Sequence, residues 1–130
     1  MEVDDRDKQQ FLELQNKMMD NSQKLRNVVQ QERLIISSGK RASLTAEELG
    51  PMPEDAKLYE SIGRAYFLMP KAKLMEELGE QQQTCRAEIR KAAEAKQGYE
   101  RAIKGVESEL RELLQNSPQL AKAVSTGAGF

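Results

Sequence analysis

Residues 78–113 read LGEQQQTCRAEIRKAAEAKQGYERAIKGVESELREL. Leu78, Gln82, Cys85, Ile89, Ala92, Lys96, Tyr99, Ile103, Val106, Leu110 and Leu113 recur at alternating steps of four and three, and nine of these eleven are apolar or alanine. This is the a/d seam of a heptad repeat, which keeps one narrow stripe of a helix against a partner. A second seam runs through Phe11, Leu14, Met18, Asn21, Leu25, Val28, Glu32 and Ile35, with six apolar of eight. Two such helices joined by short connections predict an antiparallel coiled coil. Partial burial of each apolar seam side chain contributes roughly 1–2 kcal/mol. The polar seam residues Asn21, Glu32, Gln82 and Lys96 lower stability but restrict register.

Working outward, the spacing predicts an N-terminal helix over 4–39. Asp4, Asp5 and Asp7 complement its positive end, and Gly39 fits a helix-ending C′ position. Residues 40–69 are expected to leave the heptad phase. Thr45 and Glu48 have the spacing of a capping box, with Thr45 as N-cap, which predicts a short helix. Gly50-Pro51-Met52-Pro53 ends it, because proline lacks an N–H and restricts the residue before it. A C-terminal helix is expected over 70–117, opened by Pro70. Gly79, Gly98 and Gly105 each weaken it by roughly 1 kcal/mol relative to alanine. The small, aperiodic segment 118–130 is expected to be disordered.

Between the helices lies Leu58-Tyr59-Glu60-Ser61-Ile62-Gly63-Arg64-Ala65-Tyr66-Phe67-Leu68-Met69. Aromatic and β-branched residues flank one glycine, the pattern of a β-hairpin turning near Gly63. In its second strand Tyr66 and Leu68 point one way and Ala65, Phe67 and Met69 the other, so both faces are apolar. A lone two-stranded hairpin is marginal in water, and its open edges invite pairing. The hairpin therefore calls for a sheet completed by other chains. The fold class is mainly α: a long antiparallel two-helix coiled coil joined by a hairpin that enters a shared sheet or barrel.

Composition narrows function further. The chain has 130 residues, 32% charged, 38% apolar and 5% aromatic, with a net charge of −1. That is too polar for a thick globular core and ordinary for exposed helices. Near-neutral charge argues against nucleic acid. The longest apolar run, Ala65 to Met69, is far too short for a membrane span. The acidic start carries no signal-peptide core, and a single cysteine suits a reducing compartment; the expected location is the cytoplasm. There is no histidine, hence no ordinary general base, and no metal-ligand spacing or phosphate loop. Cys85 and Tyr99 fall on the seam and read as packing. No catalytic residue, cofactor or metal is expected, and the chain reads as a non-enzyme.

The order helix, hairpin, helix resembles the prefoldin family, specifically its β-class subunits. The residues that carry the likeness are Asp55 to Leu68, with Phe11-Leu12-Glu13-Leu14-Gln15 in the first helix. Leu44-Thr45 followed by Glu48 looks most like a eukaryotic member. The likeness spans about residues 5–115, within what would be a single prefoldin-like domain. It implies a heterohexamer of two α-class and four β-class subunits, with the hairpins forming a barrel. It further implies ATP-independent capture of unfolded actin and tubulin, and transfer to the cytosolic group II chaperonin.

Two groups of residues then become candidates. Leu58, Tyr59, Ile62, Gly63, Arg64, Tyr66, Phe67 and Leu68 are expected to make subunit contacts. Phe11, Leu12, Leu14, Met18, Leu110, Leu113 and Leu114, at the far ends of the helices, are expected to touch client, although the same residues also read as the last seam layers. Two alternatives stay open: a non-chaperone coiled-coil scaffold subunit of a tethering or cytoskeletal complex, and a regulatory subunit of an enzyme complex.

Overall fold

A computed structural model describes residues 3–127. It contains α1 (Asp5–Leu49), β1 (Leu58–Ile62), β2 (Ala65–Met69), α2 (Lys71–Asn116) and α3 (Pro118–Ser125). The chain forms two compact units. The described residues of 1–29 and 94–130 make one, and Gln30–Ala93 makes the other.

Both seams are visible as burial. Every position of the 78–113 seam, and every position from Phe11 to Ile35 in the first, is buried or half-buried, while most residues between them are exposed. In the first unit, Phe11 and Leu14 of α1 meet Val106 and Leu113 of α2 in one cluster, with Met18, Leu110 and Leu114 packed on it. The seam asparagine Asn21 is satisfied within its own helix, donating its amide Nδ2 to the Lys17 carbonyl at 2.9 Å. Asp4 opens α1, its Oδ1 accepting from the Arg6 N–H at 3.0 Å.

In the second unit α1 does not end at Gly39. It continues to Leu49, and the expected short helix after a break is the same helix extended. The heptad phase itself continues, through Gly39, Ala42, Ala46 and Leu49, all buried or half-buried. These residues are mostly too small to register as an apolar stripe. Gly39 is a point of close approach: a Cβ there would lie 3.4 Å from Cys85 Cβ on α2. Ala42 is buried, 2% exposed, beside it on the same face. Thr45 is not an N-cap; its hydroxyl donates to the Arg41 carbonyl at 2.8 Å, one turn back inside the helix. Pro51 stops the helix, because it disfavours helical conformation in Gly50.

The hairpin pairs Leu58 with Met69, Tyr59 with Leu68, Glu60 with Phe67, Ser61 with Tyr66 and Ile62 with Ala65. Gly63 has φ +63°, and Arg64 is not in the positive-φ region, as a type II′ connection demands. Helix α2 follows, with the Leu74 N–H donating to the Pro70 carbonyl at 3.1 Å.

The expected disorder beyond Pro118 is corrected over 118–125. Pro118 begins α3, at the first helical position where its missing N–H costs nothing. Leu120 is fully buried in the cluster with Phe11, Leu14, Val106 and Leu113. Burying that one side chain contributes about 2–3 kcal/mol. Periodicity could not reveal it, because α3 presents a single anchoring leucine. Residues 128–130 of the expected tail lie outside the described residues.

The glycines separate into two kinds. Gly39→Leu is expected to destabilise by about 1–3 kcal/mol through overpacking against Cys85. Gly98→Ala, where an added Cβ meets nothing within 4 Å, is expected to stabilise by about 0.5–1 kcal/mol. Urea unfolding followed by far-UV circular dichroism on the assembled protein checks both signs.

Candidate interaction surfaces

The hairpin leaves an unusual amount of apolar surface in water. On one face lie Tyr59, Tyr66 and Leu68, at 59%, 73% and 61% exposure. On the other, Ile62 and Phe67 are also exposed, while Leu58 and Met69, nearest the helices, are half-buried. Opposite partners share a face, so the register groups Leu58, Met69, Glu60, Phe67, Ile62 and Ala65 on one side. Among the described residues the sheet has two strands, and each presents a free hydrogen-bonding edge. Two apolar faces and two open edges together form a surface suited to strands and side chains from other subunits. Gly63 supplies the turn and Arg64 sits exposed beside it.

A groove at the hairpin's base extends this surface. It is lined by Leu49, Leu58, Leu74 and Leu78, rimmed by Thr45, Glu60 and Glu77. Leu44, at 61% exposure, lies one turn before the end of α1. Neither the groove nor Leu44 was legible in the helical pattern, since Leu44 falls off the seam.

Lys71 holds the junction from which the hairpin springs. It occupies the seam phase two steps before Leu78, and it is buried. Its Nζ donates to the carbonyls of Gly50 at 2.9 Å and Met52 at 2.8 Å. Those carbonyls lie just past the C-terminal end of α1, where the helix dipole is negative and the last turn carries no basic residue of its own. Glu54 lies 3.8 Å from the amine but is exposed, so that pair contributes about 0–1 kcal/mol. A lysine in a heptad seam would ordinarily read as a packing defect; its partners are set only by the path of residues 50–54.

The helix-end residues divide by burial. Phe11, Leu14 and Leu113 are buried; Met18, Leu110 and Leu114 are half-buried; Leu12 is exposed. The structure gathers six of the seven around one cluster and turns Leu12 outward. Met19, at 67% exposure, lies next to Met18 and adds apolar surface. Among the described residues no group of three or more acidic, cysteine or histidine side chains is placed to hold a metal, and no helix is long and apolar enough to cross a membrane.

Two helices zipped seam to seam within each unit, with an exposed hairpin between them, define a subunit built for assembly. The prefoldin subunit model matches residues 12–117. Prefoldin subunit 1 of Arabidopsis thaliana is 38% identical over 114 residues, covering 88% of this chain and 89% of that protein. Prefoldin subunit 1 of Danio rerio is 33% identical, covering 84% and 89%. The crystal structure of the prefoldin beta subunit from Thermococcus strain KS-1 superposes with a TM-score of 0.71 at 21% identity, over 81% of this chain and 92% of that one.

The chain belongs to the prefoldin subunit family. The expected likeness to a eukaryotic β-class subunit holds, and the similar relatives carry the name prefoldin subunit 1. Membership brings a chaperone role, exercised in assembly with other prefoldin subunits.

Replacing Lys71 by Met should strand the Gly50 and Met52 carbonyls and cost about 1–3 kcal/mol. Amide exchange of residues 47–52 in the assembled protein should quicken. Unchanged exchange there would mean that Pro51 alone holds the end of α1.

Proposed function

We propose that this chain is a β-class subunit of a heterohexameric, ATP-independent co-chaperone of two α-class and four β-class subunits. The assembly captures unfolded actin and tubulin and hands them to the cytosolic group II chaperonin. The observation that carries the reading is the hairpin, with Tyr59, Tyr66 and Leu68 on one face and Ile62 and Phe67 on the other, all exposed on a two-stranded sheet. Exposure of this kind is unfavourable for an isolated chain and favourable once other hairpins cover it. No reaction is assigned, and the protein acts by binding, without cofactor or metal, in the cytoplasm.

Client contact is assigned to the helix-end surface of Phe11, Leu12, Leu14, Met18, Leu110, Leu113 and Leu114. Leu12 and Met19 are the parts already open to water, and methionine adapts its shape to varied apolar partners. Phe11, Leu14 and Leu113 contribute only when the end opens, since they are buried.

Two experiments separate the roles. Tyr66→Asp with Leu68→Asp should abolish assembly, read as loss of a six-chain mass by native mass spectrometry after co-expression with partner subunits. Leu12→Ser with Met19→Ser should leave that mass intact and weaken suppression of denatured-actin aggregation, measured by light scattering without nucleotide. An assembly that forms but never suppresses aggregation would favour the scaffold reading, in which the helices tether partners and capture nothing.

A further inference from the structure

We propose that α3 is a built-in, displaceable occupant of the helix-end apolar surface: Leu120 fills the site that an apolar segment of an unfolded client takes when α3 lifts away. The inference rests on the reading that this end captures clients.

Three features of residues 117–126 carry it. The first is the seat. Among the described residues Leu120 is the largest fully buried side chain, and it packs in one cluster with Phe11, Leu14, Val106 and Leu113. Its removal leaves a leucine-sized hollow bordered by an aromatic ring and aliphatic side chains. That is the chemistry an unfolded chain offers in return.

The second is the smallness of the apolar anchor. Val124, the other large apolar residue of α3, is exposed, and Ala121 and Ala123 are half-buried. The hydroxyls of Ser125 and Thr126 donate to carbonyls of Lys122 and Ala123 within α3 itself. A helix of eight residues is far below the roughly 12–15 needed to persist in water unaided. Seating and folding of α3 are therefore one event, and unseating it releases the ordering entropy of the whole segment.

The third is the joint. Ser117 has φ −131° and ψ 83°, outside the helical region, with no side-chain cap. Pro118 contributes no N–H. The Ser117 N–H closes α2 onto the Leu113 carbonyl at 3.0 Å, and the Ser117 carbonyl opens α3 by accepting from Ala121 at 3.1 Å. One residue thus separates the two helices, and rotation there lifts α3 without disturbing α2. Because the occupant is tethered, its effective concentration is high. A client must outcompete it, so short or weakly apolar segments are rejected while long, strongly apolar ones enter.

The test uses the assembled protein with denatured actin as probe. Leu120→Ser should leave assembly mass unchanged, lower helix content by no more than the eight residues of α3, and tighten capture by about 3- to 10-fold, as expected when a competing state is removed. A chain ending at Ser117 should do the same. Saturating denatured actin should speed amide exchange over 118–125 in the unaltered protein. Weaker capture by both variants, or capture with exchange over 118–125 unmoved, overturns this inference and leaves the capture reading intact. Absence of capture by every version overturns the capture reading and this inference with it.

Discussion

The structure depends on burying a stripe only two residues wide per heptad. A helix alone cannot remove that stripe from water; two can, each supplying the other's cover. Everything else follows from where the stripe has substance. In the unit of 1–29 and 94–130 it is built of Phe11, Leu14, Val106 and Leu113, which are large enough to form a true cluster. In the unit of Gln30–Ala93 it narrows to Gly39, Ala42 and Cys85. There, close backbone approach replaces side-chain volume.

The same unit holds the hairpin, which carries its large residues outward. Tyr59, Tyr66 and Leu68 stay exposed, although Leu49, Leu74 and Leu78 form a groove with Leu58 at the hairpin's base. Lys71 belongs to the same unit. Its seam position meets polar backbone, the Gly50 and Met52 carbonyls, to which a leucine could not donate. Stability of the single chain and readiness for assembly are thus set against each other within a few residues.

Much of this was readable from residue spacing. The 78–113 seam, the Phe11–Ile35 seam, the turn at Gly63 and the two-faced second strand each show in the structure as read. The two errors within α1 have one cause. Gly39 and Thr45 carry strong local signals for ending and starting helices, and local signals lose to tertiary contact. Gly39 is in mid-helix because Cys85 needs the space, and Thr45 turns its hydroxyl to the Arg41 carbonyl because the helix never stops. Leu120 was missed for a different reason: one leucine in a stretch of small residues has no period to detect.

The sequence by itself determined the elements and their faces, because helical and strand periodicity are local properties of the chain. It determined that two seams must meet and that the hairpin's second strand is apolar on both faces. Tertiary structure decided which small residues mark contact rather than a break, where Lys71 finds its acceptors, and that Leu120 closes the helix-end cluster. Those outcomes depend on residues far apart in the chain arriving side by side, as Gly39 does with Cys85 and Leu120 does in the cluster that holds Phe11 and Val106. No spacing rule encodes such a meeting; only the packed geometry does.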